Sequence, residues 1–169
     1  MSHDARAHDR IHLVRHAHAG DPLKWDGPDA IRPLSRKGRR QAAALGALLA
    51  AADVRPERIV SSPKVRARET ADIVGTALGV APVLDDRLAD DLDLDDLESL
   101  MLDVGAREVM VVGHDPYMSE LFAELVGAGG LAMPKGAIAT IDIRRPLRPG
   151  AGSLAWFVPP ALLPPSGEA

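Results

Sequence analysis

Two histidines and two arginines are the residues of this chain whose types and positions can support chemistry. Arg15 and His16 follow a short β-rich run, Arg66 lies one turn into a helical pattern, and His114 follows the apolar run EVMVV. An arginine side chain presents a planar, permanently charged fork that matches phosphate oxygens. A neutral imidazole is a competent nucleophile near neutral pH, and the chain has no cysteine to compete with it. These residue types therefore predict a site that binds a phosphoryl group and attacks it with a histidine.

The elements that must position these residues alternate between strand and helix along the chain. The predicted strands are residues 11–14, 58–61, 80–84, 108–112, 137–143 and 153–158. The predicted helices run from Ser35 to about Ala52, from a Ser62-Pro63 cap to Gly79, over residues 92–102, and onward from a second cap at Asp115-Pro116. Such alternation predicts an α/β fold with a largely parallel sheet, whose ligands bind at the carboxyl ends of the strands.

Length and composition restrict the class of protein. The chain has 169 residues, 46% of them hydrophobic and 26% charged, which is typical of one globular domain. It contains no run of eighteen apolar residues and no apolar N-terminal signal region, so we expect a cytoplasmic protein with no membrane span. A net charge of −4 and 3% aromatic residues argue against a nucleic-acid partner. We expect a domain over residues 11–158 between tails at 1–10 and 159–169.

Three motifs resemble those of the histidine phosphatase superfamily. Residues 13–20 (LVRHAHAG) resemble its opening signature in the RHA form. Residues 61–71 (SSPKVRARETA) resemble its motif S-x-P-x-x-R-A-x-x-T-A, and residues 111–116 (VVGHDP) resemble its motif G-H-x-P. The stretches RPLS-x-x-G at 32–38 and GAIA at 136–139 are also similar to short SixA-type phosphohistidine phosphatases. All the motifs occur in the expected order, which makes the resemblance specific.

The resemblance implies a fold and a set of roles. The implied fold is a single-domain, three-layer α/β/α sandwich with a mostly parallel, doubly wound sheet, as in phosphoglycerate mutase. His16 would be the nucleophile that becomes phosphorylated, Arg15 and Arg66 would clamp the phosphate, and His114 would donate hydrogen bonds to the phosphoryl oxygens. The resemblance implies no metal and no cofactor. The implied partner is a phosphorylated protein, such as a histidine-containing phosphotransfer domain, or a small phosphorylated molecule.

The chain departs from larger superfamily members in one respect. Those members carry a carboxylate general acid on an insertion, whereas only about forty residues separate Thr70 from Gly113 here. An alcohol leaving group needs such an acid, which contributes roughly two to four orders of magnitude in rate. The nitrogen that leaves a phosphohistidine is far more basic, so we expect a P–N substrate. Two alternatives stay open: a phosphatase for small esters, with an aspartate such as Asp90 as acid, and a phosphate-binding module without turnover.

Other polar residues near the motifs have more than one reading. His16 and His18, with Asp21 nearby, form an H-x-H pattern that metal hydrolases use, but the fixed charge of Arg15 would repel a cation. We therefore expect His18 at the edge of the pocket. Arg32 is a further candidate for substrate binding through the positive field around the phosphate.

The remaining charged runs are expected to be solvated surfaces. The basic run Arg36, Lys37, Arg39 and Arg40 lies where a helix macrodipole disfavours cations, so docking of an acidic partner is the alternative. Arg68 lies two positions after Arg66 on one helix and should point elsewhere. The acidic run at 85–98 lacks the spacing of a calcium loop, and its interleaved leucines predict a half-buried helix. His12 should be a packed or surface histidine.

Overall fold

A six-stranded sheet forms the centre of the computed structural model, which describes residues 8–164. The strands are β1 (Asp9–Arg15), β2 (Arg58–Ser61), β3 (Val83–Leu84), β4 (Glu108–Gly113), β5 (Ile138–Ile143) and β6 (Ser153–Val158). Their order is β3-β2-β4-β1-β5-β6. The first four strands in that order are parallel, whereas β5 is antiparallel to both β1 and β6. The prediction of a mostly parallel sheet is confirmed.

Four α-helices cover the two faces of this sheet. They are α1 (Arg36–Ala51), α2 (Val65–Leu78), α3 (Leu94–Val104) and α4 (Tyr117–Val126). Helices α1 and α2 share one apolar cluster with the sheet, and α3 and α4 share the other. The predicted three-layer α/β/α sandwich is therefore confirmed.

Strand β4 shows why its sequence is apolar without alternation. Val109 and Val111 face the cluster of α3 and α4, while Met110 and Val112 face the cluster of α1 and α2. All four side chains are fully buried. Burial of each such side chain contributes about 1.5–3 kcal/mol, so the strand is anchored firmly from both faces. The residues that follow β4 are consequently held in a defined place.

The predicted start of α2 is wrong by two residues. Ser62 is not the N-cap, because its backbone N–H still donates to the carbonyl of Val112 in β4 at 3.0 Å and the chain there remains extended. The helix begins at Val65, with Lys64 as its N-cap residue. The hydroxyl of Ser62 accepts from the N–H of Lys64 at 3.2 Å within the intervening turn. The predicted end is correct, since Gly79 closes the helix with a φ of 72°.

Other boundaries also shift. Strand β3 has two residues rather than five, α3 lies two residues later than predicted at each end, and α4 begins after the cis Asp115–Pro116 peptide with Pro116 as its N-cap residue. Strand β1 starts at Asp9, inside the predicted N-terminal tail. The predicted C-terminal tail contains a short 3-10 helix, Pro160–Leu162. The rest of the two predicted tails, residues 1–7 and 165–169, lies outside the described residues. Over residues 8–164, no helix has the length and apolar character that crossing a membrane requires.

Candidate active site

The site lies where three adjacent parallel strands end. Strands β2, β4 and β1 are neighbours in the sheet, and Arg15 at the end of β1 is in register with Gly113 at the end of β4. The N–H of His16 donates to the carbonyl of Gly113 at 2.9 Å, which continues the ladder by one residue. The rings of His16 and His114 consequently lie 5.1 Å apart, measured between their centroids. The predicted convergence of the two histidines is observed.

The imidazole of His16 is buried and held in one orientation. Its Nδ1 lies 2.7 Å from the backbone carbonyl of Ala17. A carbonyl can only accept, so Nδ1 carries the proton, and in the neutral ring the lone pair is on Nε2. Burial lowers the pKa of His16 to about 3, and the charges of Arg66 and Arg15 add to that effect against the Ala17 hydrogen bond, which raises it. The ring is therefore neutral at physiological pH.

His114 is equally buried but is held through its other nitrogen. Its Nε2 lies 2.7 Å from the hydroxyl of Ser62. Burial, followed by the charges of Arg66 and Lys64, lowers the pKa of His114 to about 3. Its Nδ1 is buried and has no hydrogen-bond partner among the residues that the structure describes. The free nitrogen of His114 is thus Nδ1, whereas that of His16 is Nε2.

Arg15 reaches the site from the last position of β1. Its NH1 donates to the carbonyl of Met133 at 2.7 Å and lies 3.0 Å from the carboxylate of Asp115. Its Nε is buried without a partner within residues 8–164. Asp115 also accepts from the N–H and hydroxyl of Ser119 in α4, so this carboxylate joins Arg15 to the helix that follows His114.

Arg66 reaches the site from the first turn of α2. Its NH1 donates to the backbone carbonyl of Asp29 at 2.8 Å, and its NH2 donates to the carboxylate of the same residue at 2.9 Å. The Nε of Arg66, like that of Arg15, is buried and makes no hydrogen bond in the described part of the chain. A buried donor without a partner costs about 1–3 kcal/mol. An oxyanion is the kind of group that satisfies several such donors at once.

Thr70 explains the fixed spacing between arginine and threonine in the second motif. It lies one turn after Arg66 in α2, and its hydroxyl donates to the carbonyl of Arg66 at 2.7 Å. The same oxygen accepts from the N–H of Ala17 at 3.1 Å. One side chain therefore ties the helix that carries Arg66 to the loop that follows His16. The spacing keeps this link on the inner face of the helix.

The two predicted peripheral residues lie at the edge of this arrangement. The Nδ1 of His18 is 2.7 Å from the hydroxyl of Ser35, the N-cap of α1. Burial lowers the pKa of His18, and the charges of Lys37, Lys135 and Arg32 lower it further. Arg32 is buried, but its guanidinium donates to the carbonyl of Ala19 and to Asp29 rather than pointing at either central histidine.

Sequence reasoning missed four residues of this region. Asp29 binds two arginines, Ser62 binds His114, Asp115 binds Arg15, and Lys135 belongs to the same positive field. Burial lowers the pKa of Lys135, and the charges of Arg15, Arg32 and Arg66 lower it further. Ser62 and Asp115 lie inside recognised motifs, so proximity to the histidines was a usable signal. Asp29 and Lys135 lie in loops, where no periodic pattern marks them.

Asp21, considered above as a metal ligand, and His12, considered above as a packed or surface histidine, lie outside the central group of histidines and arginines. Asp21 caps the short 3-10 helix Pro22–Lys24 by accepting from Leu23, and no group of three or more potential ligands is arranged for a metal within residues 8–164. His12 is packed in the interior, 2.7 Å from Thr140 and 3.1 Å from Glu108.

The charged runs lie on the surface. The exposed residues include Arg68 and the four basic residues at the start of α1, Arg36, Lys37, Arg39 and Arg40. In the acidic run, Leu92, Leu94 and Leu97 are buried while most of the carboxylates are exposed, as expected for a half-buried acidic segment.

Comparisons with known proteins agree with this geometry. The family model for the histidine phosphatase superfamily (branch 1) matches residues 11–108. The phosphohistidine phosphatase SixA of Escherichia coli (strain K12) is 29% identical over an alignment of 161 residues that covers 91% of this chain and 96% of that protein. The structure of the protein histidine phosphatase SixA complexed with tungstate has a TM-score of 0.77 at 25% identity and covers 90% of this chain and 97% of its own. A SixA structure from Agrobacterium tumefaciens has a TM-score of 0.74 at 26% identity, with coverage of 89% and 97%.

These similarities extend over most of the chain. The fold is the phosphoglycerate mutase-like fold of the SixA structures, and the similarity to SixA proteins points to a phosphatase. The family model alone covers more than half of the chain, and its match includes the elements that carry Arg15, His16 and Arg66. The chain therefore belongs to branch 1 of the histidine phosphatase superfamily.

Proposed function

We propose that this protein is a metal-independent phosphohydrolase that removes phosphate from phosphohistidine in a partner protein, through a phosphohistidine intermediate on its own His16. The observation that carries the proposal is the hydrogen bond between Nδ1 of His16 and the carbonyl of Ala17. It places the lone pair of a neutral, buried imidazole on Nε2, which is the state that a nucleophilic histidine needs. The proposed domain that carries this activity spans residues 11–158.

The first chemical step is transfer of the phosphoryl group to His16. The lone pair of Nε2 attacks phosphorus, the P–N bond of the substrate breaks, and its electron pair stays on the leaving nitrogen. That nitrogen takes up a proton from solvent water, and the hydroxide formed is neutralised by the dihydrogen phosphate that the second step releases. Arg15 and Arg66 bind the phosphoryl oxygens through their buried Nε–H groups. We assign Nε2 of His114 as the acceptor of the Ser62 hydroxyl proton, while the oxygen of that hydroxyl accepts from the N–H of Lys64, and the Nδ1–H of His114 is then the donor to the phosphoryl group.

The second step is hydrolysis of the phosphoenzyme. Water attacks phosphorus, the bond between phosphorus and Nε2 of His16 breaks, and dihydrogen phosphate leaves with both protons of that water while Nε2 recovers its lone pair. The same arginines and His114 stabilise the charge of this transition state, because the equatorial oxygens occupy the same region in both steps. Arg32 contributes at the edge through the positive field that it shares with Lys135, whereas His18, whose pKa this field lowers, contributes there as a neutral hydrogen-bonding ring.

The exposure of Asp90 supports a P–N substrate over an ester. Asp90 was the candidate acid for an ester, but its side chain is 86% exposed and its nearest charged partner is Lys64, at 3.2 Å. Acids that protonate an oxygen leaving group are usually kept in a desolvated environment. A phosphohistidine needs no such group, because its leaving nitrogen is basic.

Phosphate release from a phosphohistidine-bearing protein tests this function. EDTA-treated wild type should release phosphate rapidly from a phosphorylated histidine-containing phosphotransfer domain and only slowly from p-nitrophenyl phosphate. His16→Ala should abolish the release from the phosphoprotein. Loss of wild-type activity on EDTA treatment would contradict the metal-independent mechanism.

The same assay separates the alternative functions. Faster turnover of the ester would identify a small-molecule phosphatase instead, and would direct attention to the aspartates of the acidic run. Release from neither substrate, with retained affinity for inorganic phosphate, would identify a phosphate-binding module. Retained activity in His16→Ala would contradict the assigned nucleophile.

A further inference from the structure

Asp29 lies between two buried arginines, Arg66 and Arg32, and has no role in the two chemical steps proposed above. It begins the short 3-10 helix Asp29–Ile31 in the loop between β1 and α1. One carboxylate oxygen accepts from NH2 of Arg66 at 2.9 Å, and the other accepts from Nε and NH2 of Arg32 at 3.1 Å each. The backbone carbonyl of the same residue accepts from NH1 of Arg66 at 2.8 Å.

We propose that Asp29 is a positioning residue that holds the guanidinium of Arg66 so that its Nε–H faces the phosphoryl group. This proposal rests on the proposed function, since it assigns a role for Asp29 in the same site. Within residues 8–164, the side chain of Asp29 binds Arg66 and Arg32 rather than His16, and we assign it no contact with the phosphoryl group. It acts through Arg66, and Arg32 acts in turn by holding Asp29.

The geometry of the guanidinium supports this assignment. Asp29 engages both terminal nitrogens of Arg66, one through its backbone and one through its side chain. Two hydrogen bonds along one edge of a planar group fix the plane and its rotation. Nε is then the nitrogen of Arg66 that stays free, and it is buried without a partner among residues 8–164. The orientation of that donor therefore depends directly on Asp29.

Arg32 supplies the second half of the support. Its NH1 donates to the carbonyl of Ala19 at 2.7 Å, three residues after His16, while its Nε and NH2 bind Asp29. The side chain of Asp29 is 54% exposed, so it needs a second anchor to stay in one place. Burial raises the pKa of Asp29, but the hydrogen bonds and charges of Arg66 and Arg32 outweigh it and give a net lowering. The carboxylate is therefore ionised when it binds the two arginines.

A positioning role and a simple charge effect predict opposite results. Asp29 carries a negative charge close to a site for a negatively charged group, so removing that charge should strengthen phosphate binding if only Coulomb forces operate. If Asp29 positions Arg66, its removal releases the guanidinium and weakens binding in spite of the gained positive charge. The sign of the change in phosphate affinity therefore separates the two explanations.

The experiment compares Asp29→Asn and Asp29→Glu with Asp26→Asn. Asp26 is an exposed carboxylate in the same loop, so its change removes an equal charge without touching Arg66. Calorimetric titration with inorganic phosphate and steady-state kinetics with a phosphohistidine protein are measured for each variant. We expect Asp29→Asn to raise the Kd for phosphate and to lower kcat about tenfold to a hundredfold, which is the scale of loss that follows from misplacing a group in the site. Asp26→Asn should match wild type.

A double variant tests whether the effect passes through Arg66. Asp29→Asn should change kcat/KM by less than about twofold in an Arg66→Ala background, because groups that act as a unit are not additive. Unchanged or tighter phosphate binding in Asp29→Asn, or a full additional loss in the double variant, would overturn the positioning role. Melting curves identify a variant that fails to fold. If Asp29→Asn fails to fold, the same measurements are made on Asp29→Glu, which keeps the charge but moves the carboxylate. A raised Kd for phosphate in Asp29→Glu supports the positioning role, and a wild-type Kd overturns it.

Failure of the proposed function can be recognised separately. If wild type shows no turnover of either substrate, the proposed function fails, but the phosphate titration still decides the role of Asp29 in orienting Arg66. If wild type turns over and Asp29→Asn matches it in both phosphate affinity and kcat, only the positioning role fails.

Discussion

The two central histidines have different chemical identities although they share residue type, burial and a pKa of about 3. The difference comes from one hydrogen bond on each ring. Ala17 binds Nδ1 of His16, and Ser62 binds Nε2 of His114, so opposite nitrogens remain free. At the scale of the residue, the assignment of nucleophile and hydrogen-bond donor therefore rests on which ring atom the neighbouring backbone or hydroxyl occupies.

The tautomer of His16 can be observed directly. Nitrogen-15 spectra of the imidazole groups should show His16 with a proton on Nδ1 and none on Nε2 at pH 7. Because burial lowers the pKa of His16 to about 3, the signal should not shift between pH 7 and about pH 5. A titration near pH 6.5, or a proton on Nε2, would show that this ring is not prepared as a nucleophile. The exposed Nδ1 of a free histidine in the same buffer provides the reference.

At the scale of the element, the site depends on which residues of α2 lie on its buried face. Arg66, Ala67, Thr70 and Ala71 are buried, whereas Arg68 is exposed. One helical turn therefore provides both a candidate phosphate ligand and a matched residue of the same type in solvent. The pair allows the effect of position to be separated from the effect of charge.

Arg66→Ala should lower kcat/KM for the phosphohistidine protein by about a hundredfold or more. It removes the charge-assisted hydrogen bond that we propose Arg66 makes to the phosphoryl group, and it leaves Asp29 without one of its two arginines. Arg68→Ala on the same helix should stay within about twofold of wild type, since an exposed charge contributes little. Equal losses in the two variants would indicate that net charge, not the position of Arg66, governs activity.

The start of α1 packs closely against the loop that follows His16. A Cβ at Gly38 would collide with the carbonyl oxygen of His18, which is rigid backbone. Gly38→Ala should therefore push this loop away and destabilise the fold by about 1–3 kcal/mol, with a loss of activity. Gly129→Ala is the control, because a Cβ there meets no atom within 4 Å. Chemical denaturation gives both free energies of unfolding, and equal stability of the two variants would contradict the packing argument.

At the scale of the whole molecule, the fold and the centre of the site were predictable because both follow from local patterns. Apolar runs identify strands, their carboxyl ends meet at one edge, and His16 and His114 directly follow two neighbouring strands. The start of α2 was predicted wrongly because the ladder with β4 keeps Ser62 extended, which is a tertiary contact that no local pattern reports. The role of Asp29 was not predicted for the same reason, since it depends on where a loop lies against Arg66.

Burial of two neutral histidines also makes the stability of the whole fold dependent on pH. Folding lowers their pKa from 6.5 to about 3, so below pH 6.5 the unfolded chain takes up protons that the folded chain does not. The contribution of these two histidines to the free energy of unfolding is therefore fully present above pH 6.5. It is lost as pH falls towards 3, by at most about 1.4 kcal/mol per pH unit for each histidine. Urea unfolding at pH 7.5 and pH 5 should show a smaller loss in the variant with His16→Gln and His114→Gln together. Equal losses of stability in wild type and the double variant would show that these two rings do not cause the pH dependence.

Trapping the phosphorylated enzyme shows directly whether His16 is the nucleophile. The wild type is mixed with a phosphohistidine protein that carries labelled phosphate, quenched with alkali within milliseconds, separated from the substrate by size, and digested for mass spectrometry. We expect an alkali-stable, acid-labile phosphate on the peptide that contains His16, at Nε2, and no such label in His16→Ala. Label on His114, or steady turnover by the wild type with no labelled enzyme at any time, would contradict it.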